Sequence, residues 1–192
     1  LARFRSPRLL QQSQQLVQLP VRLAGRIAVH RNQLQPCRPG AVELQHLKEI
    51  PIPSDCTQVI GIGGGSKLDA AKALFTRILT GDKVSLEDLI KTPAHIDACR
   101  PIRHRYNLLL VPTTFGASSE LTKWATIWDW EANKKYSISN ELLYADTALI
   151  RPGLSLTAPR DITAYTALDT LSHALESLWS IHKNPVTAHH AF

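Results

Sequence analysis

The stretch Gln58-Val59-Ile60-Gly61-Ile62-Gly63-Gly64-Gly65-Ser66-Lys67-Leu68-Asp69-Ala70-Ala71-Lys72-Ala73-Leu74 decides the fold class. Its first five residues, QVIGI, are a compact apolar run of strand type. Three glycines follow at once, and from Ser66 the alanines and leucines suit a helix. Strand, glycine turn and helix in that order open an α/β unit. Amides at a helix N-terminus attract anions, and a turn without side chains lets a pyrophosphate come close. The spacing is neither G-x-G-x-x-G nor a Walker loop, so the glycines read either as a dinucleotide phosphate site or as a plain tight turn.

Working outward, Asn107–Val111 (NLLLV) predicts a second strand, closed by Pro112. The loop after it carries Thr113, Thr114, Ser118, Ser119 and Thr122. Ligands of open α/β sheets bind at the carboxyl ends of strands, so these hydroxyls are candidate contacts; capping of the loop's own backbone is the other reading. Thr122–Asp129 predicts a strand, Trp130–Lys135 a hairpin turn, Lys135–Ser139 the returning strand, and Thr147–Ile150 a further one. Upstream, Arg26–His30 reads as a short strand and Ala41–Ile50 as a helix ended by Pro51–Pro53. Downstream, Ile162–Leu178 has apolar residues at helical spacing, Pro159 precedes it, and Asp161 is a candidate cap. A domain boundary is expected near residues 155–160.

In that last helix Asp169 and His173 stand at i and i+4 and project from one face. A carboxylate and an imidazole so placed are either two ligands of a divalent ion or a surface pair; a first-row metal needs more than two ligands. His189 and His190 are adjacent, point in different directions on a helix and read as surface residues.

Composition narrows the class. The chain has 192 residues, 44% of them hydrophobic, enough for one domain with a core and the start of another. No apolar run approaches the roughly 18 residues of a membrane span, so no membrane segment is expected. The net charge is +6, yet residues 1–42 hold seven arginines (Arg3, Arg5, Arg8, Arg22, Arg26, Arg31, Arg38) and no acid, leaving the remainder at −1. That stretch reads as a basic arm, a transit peptide or an ordinary N-terminal segment. No aromatic interleaving marks a single-strand or RNA binder, so no nucleic-acid partner is expected. Cys37, Cys56 and Cys99 are odd in number and lack C-x-x-C spacing, which suits a reducing, cytoplasmic setting. The chain starts at Leu1 and contains no Met, which reads as a start missing or removed.

Taken in order, VIGIGGGSKLDAAKAL, VPTTFGASSELTKWATIWD and ALDTLSHALESLWS resemble the iron-containing (group III) alcohol dehydrogenase family over about residues 56–188. The resemblance implies an α/β fold: a Rossmann-like nucleotide-binding domain at 1–158, with 1–50 poorly matched, followed at 159–192 by the first part of an all-helical metal-binding domain. It implies that Gly64, Gly65, Ser66 and Asp69 hold the phosphates and neighbouring groups of NAD or NADP. Thr113, Thr114 and Thr122 would line the nicotinamide side, and Lys135 would contact the cofactor. Asp169 and His173 would be the first two of four ligands to Fe2+, with Zn2+ the alternative. The implied reaction is hydride transfer between NAD(P) and a small alcohol or aldehyde, in a full-length form that is a homo-oligomer.

Several positions depart from the family pattern. Ala117 stands where a threonine is usual, Arg151 and Gly153 replace an Asp and a Glu, and Ala167 replaces a glycine. The family's other two ligands are histidines well downstream, whereas His182, His189 and His190 lie too close to His173 to match them. The chain therefore reads as a truncated piece with half a metal site, whose last helix exposes its apolar face. SHALESLWS followed by Asn184-Pro185 is similar to the branch acting on phosphonoacetaldehyde. A catalytically inactive nucleotide-binding remnant and a dehydroquinate-synthase-like lyase are the competing readings.

Overall fold

The computed structural model describes residues 27–28 and 43–191. Most of the arginine-rich stretch, its reading as an arm or leader, and Cys37 lie outside the described residues. Of the expected Arg26–His30 strand, Ile27–Ala28 is described and forms β1.

The chain continues with α1 (Leu44–Glu49), β2 (Gln58–Gly63), α2 (Gly65–Leu79), α3 (Leu86–Lys91) and α4 (Ala94–Asp97). Then come β3 (Asn107–Pro112), β4 (Trp124–Asp129), β5 (Lys134–Ser139), β6 (Thr147–Ala148), α5 (Arg160–Trp179) and α6 (Pro185–His190). Strands β1, β2, β3 and β6 form one parallel sheet in that order, and β4 and β5 form an antiparallel hairpin. In the register of β2 on β3, Gly63 lies opposite Pro112. The loops that follow the two strands therefore leave the sheet side by side, at the edge where such sheets take ligands.

Helix α2 packs on the sheet and on β4. Leu68, Ala73, Phe75 and Leu79 are at most 2% exposed, and each large side chain so buried stabilises by roughly 1.5–3 kcal/mol. The approach is closest at Gly61, where a Cβ would stand 2.7 Å from Ala71 Cβ and 2.8 Å from Leu110 Cδ2. Two arginines tie the connections down. Arg77 pairs in bidentate fashion with Asp82 and donates through Nη1 to the carbonyls of Leu47 and Ile50 at the end of α1. Arg103 lies 4.7 Å from the Phe75 ring centroid and donates to the carbonyls of Tyr106, Leu142 and Tyr144 and to Asp146.

The structure shifts several expected boundaries. β4 starts at Trp124, because Ser119–Leu121 closes into a 3-10 turn whose carbonyl at Ser119 receives the Thr122 amide. β6 stops at Ala148, paired with Leu110, and Leu149 and Ile150 are exposed. Asp161 does not cap α5: Pro159 is the N-cap, no side chain bonds there, and Asp161 sits in the first turn, where a negative charge still suits the helix dipole. Residues 80–106 carried no sequence expectation and hold α3 and α4, the former capped by Ser85, whose Oγ accepts from the Asp88 amide at 3.1 Å.

Gly61→Val should overpack the α2–sheet contact and lower stability by about 2–3 kcal/mol, read as a drop in the urea midpoint. Gly153→Ala, which meets nothing within 4 Å, is the comparison and should stay within about 0.5 kcal/mol of the parent.

Candidate functional site

At the carboxyl ends of β2 and β3 two loops face each other. The first is the glycine turn. Gly64 is the N-cap of α2 and offers no side chain, while its carbonyl accepts from the amides of Lys67 and Leu68 at 2.9 and 3.2 Å. The amides of Gly65 and Ser66 belong to the first turn and have no intrahelical acceptor, so they form a donor set at the positive end of a 15-residue helix. The second loop starts with Thr113, whose amide donates to the Gly63 carbonyl at 2.9 Å. Thr114 comes next, and a Cβ on Gly64 would lie 3.0 Å from its Oγ1. Glycine at 64 therefore keeps both the backbone and a threonine hydroxyl open at one place. A group that presents phosphate oxygens fits this cradle.

The other expected cofactor residues are placed differently. Asp69 Oδ1 accepts from Ser119 Oγ at 2.5 Å, and Oδ2 accepts from the Thr126 amide at 3.1 Å. Burial raises the Asp69 carboxyl above its ordinary range, against the lowering influence of Ser119, Thr126, Lys72 and Lys135. Thr122 Oγ1 accepts from Lys72 Nζ at 3.0 Å. Lys135 lies on the β4–β5 hairpin with Nζ 5.7 Å from the Trp128 ring centroid, and Trp128 stacks on Trp130 at 5.1 Å. Gly64, Gly65, Ser66, Thr113 and Thr114 thus lie on the two adjoining loops, whereas Asp69 and Thr122 bond to Ser119, Thr126 and Lys72.

Lys72 had no role in the sequence reading. Its side chain is 0% exposed and donates to the Ser119 and Trp124 carbonyls, to Ser119 Oγ and to Thr122 Oγ1. Burial lowers its ammonium from 10.5 to about 8, with Asp69 and Glu120 acting in the opposite sense. The signal was present: an Asp and a Lys at i,i+3 inside a run of alanines.

On α5, His173 Nε2 lies 3.8 Å from Asp169 Oδ1, with the two side chains 53% and 44% exposed. One helical face does bring them together. Among the described residues, however, no group of three or more His, Cys, Asp or Glu side chains converges on one point. Two donors fall short of the three or four protein ligands of a first-row metal site, so these residues do not fit the metal on their own. The helix meets the hydroxyl-bearing loop at Thr166: a Cβ on Gly116 would lie 2.7 Å from the Thr166 carbonyl oxygen.

The family model described as iron-containing alcohol dehydrogenase matches residues 38–152. Among curated relatives, choline dehydrogenase of Bacillus subtilis is 31% identical over 165 residues, which is 85% of this chain and 39% of that protein. NADPH-dependent butanol dehydrogenase of Clostridium saccharobutylicum is 32% identical over 129 residues, 67% of this chain and 32% of that protein. Among solved structures, sulfoacetaldehyde reductase from Bifidobacterium kashiwanohense in complex with NAD+ superposes with a TM-score of 0.61 at 30% identity, covering 71% of this chain and 34% of that one. The chain therefore spans about a third of the length of the curated relatives it matches.

With Asp169 and His173 the two donors that come together among the described residues, Fe2+ or Zn2+ added to the 192-residue chain should be lost on dialysis. Metal analysis after dialysis checks this; a tightly retained equivalent would contradict the two-donor geometry.

Proposed function

The chain belongs to the iron-containing alcohol dehydrogenase family, and from that premise we propose that it forms the nucleotide-binding part of an enzyme that moves a hydride between NAD(P) and a small alcohol or aldehyde. One observation carries the reading: the open end of α2 at Gly64, Gly65 and Ser66 stands beside the Thr113–Thr114 loop at the carboxyl edge of the sheet, with the Thr114 hydroxyl against Gly64. The amides of Gly65 and Ser66 bind phosphate, and Gly64 leaves room for it. Thr113 and Thr114 orient the cofactor from the opposite wall, and Lys135 adds a positive charge from the hairpin. When bound, the nicotinamide supplies the hydride chemistry, and the protein supplies orientation and electrostatics. A relative named for NADPH and a structure holding NAD+ support a nicotinamide dinucleotide of either kind.

Residues 159–192 are proposed as the first part of the helical metal-binding domain, with Asp169 and His173 as two of its ligands. For the substrate, the narrower reading is phosphonoacetaldehyde. It rests on the 172–185 segment and on the likeness to a reductase named for another short aldehyde with an anionic group. A cytoplasmic setting suits the free, buried Cys56 and Cys99. No helix among the described residues is long and apolar enough to cross a membrane. The apolar stripe of Tyr165, Leu168, Leu171, Leu175 and Trp179, 42–71% exposed, favours self-association. The two-donor metal geometry favours a second reading of these residues, nucleotide binding without turnover.

NADH fluorescence should change on titration into the chain. Gly64→Asp, which places bulk and negative charge against Thr114 and the phosphate cradle, should abolish that change while thermal unfolding stays cooperative. An unmutated chain that leaves NADH fluorescence unaltered sinks the proposal.

A further inference from the structure

Asp69 and Lys72 stand one turn apart on α2. The hydrogen bonds of both side chains land on one short segment of the chain, at Ser119, Thr122, Trp124 and Thr126. These bonds form a linked set. Ser119 Oγ gives its proton to Asp69 and so turns a lone pair toward Lys72. Both Asp69 oxygens are engaged by the chain itself.

Buried ion pairs add little net stability, because desolvation offsets their attraction. What this pair supplies is direction. The hydroxyl-bearing loop is fixed upstream by the Thr113 amide on the Gly63 carbonyl, 2.9 Å away. Downstream it passes through Ser118, which has φ +49, a left-handed conformation unfavourable for a residue with a Cβ. Such a conformation persists only where neighbours over-determine it. The neighbour is Ser119, whose carbonyl and hydroxyl both bond to Lys72.

We propose that Asp69 and Lys72 are positioning residues that lock the downstream end of this loop and so hold Thr113 and Thr114 against the glycine turn. The consequence for dinucleotide binding rests on the function proposed above; the effect on the loop does not. Charged groups around the pair are Glu120 beside Lys72 and Lys135 beside Asp69.

The test uses the 192-residue chain with Lys72→Met and Asp69→Asn, followed by amide hydrogen exchange across residues 113–126 and by NADH titration. Each variant should speed exchange in that segment by about tenfold, leave β2 and β3 protected, and weaken NADH binding by a similar factor. A pH profile separates positioning from bulk structure. The closed loop holds Lys72 at about 8, against 10.5 when it opens to water, so the open form binds more protons between those values. Raising the pH from 7 to 9 should therefore stabilise the closed loop about tenfold in the unmutated chain, after correction for intrinsic exchange. Lys72→Met should show no such slope. Should Lys72→Met not fold, Asp69→Asn and the slope of the unmutated chain decide. Unchanged loop exchange in Asp69→Asn with weaker NADH binding would make Asp69 a direct cofactor contact and overturn the proposal, as would a flat pH profile. Loop exchange that responds while the unmutated chain binds no NADH would remove the proposed function and leave the positioning role standing.

Discussion

Helix α2 lies closer to the sheet than any side chain at position 61 would permit. With Ala71 Cβ 2.7 Å from where a Cβ would stand, Gly61 sets the seat of the helix. That seat fixes where the N-terminus of α2 emerges, and with it the position of Gly64, Gly65 and Ser66 at the sheet edge. It also brings Phe75 and Leu79 into the core shared with β3, α1 and α3. A helix set farther out would leave voids along its length, and close packing does not tolerate them.

Two buried cations and one half-buried one do the rest of the joining. The parallel strands satisfy one another's backbone groups, but the connections between them cannot, and buried carbonyls need donors. Arg77 serves the end of α1, Arg103 serves the residue just before β3 and the segment before β6, and Lys72 serves the segment leading into β4. Each cation arises from or lies against α2, so that helix organises the polar interior as well as the apolar one. Desolvation makes these cations costly, but taking away one partner would leave carbonyls or a charge unmatched, which is worse.

The region around α5 is built differently. None of its residues is buried, and its contact with the body includes Thr166 lying against Gly116. This contact stands one turn before Asp169, so the loop that faces the glycine turn also touches the helix that carries the metal-type pair. A shift in that loop would be felt at both places.

Much of this was legible in the amino-acid sequence, because the deciding features were local. A strand, three glycines and an alanine-rich helix declare their geometry over seventeen residues. The i,i+4 spacing of Asp169 and His173 fixes their common face without reference to anything else. What only the tertiary structure decided depended on partners distant in sequence. The family resemblance puts Asp69 among the expected cofactor residues, and its carboxylate meets Ser119 and Thr126, 50 and 57 residues away. Lys72 looked like one more helical lysine until burial at 0% exposure and four acceptors defined it. Periodicity records which face of a helix is apolar, but not which carbonyl a buried charge will find. The opening strand, turn and helix therefore stand as the sequence declared them, and the loop across from them is a product of the folded interior.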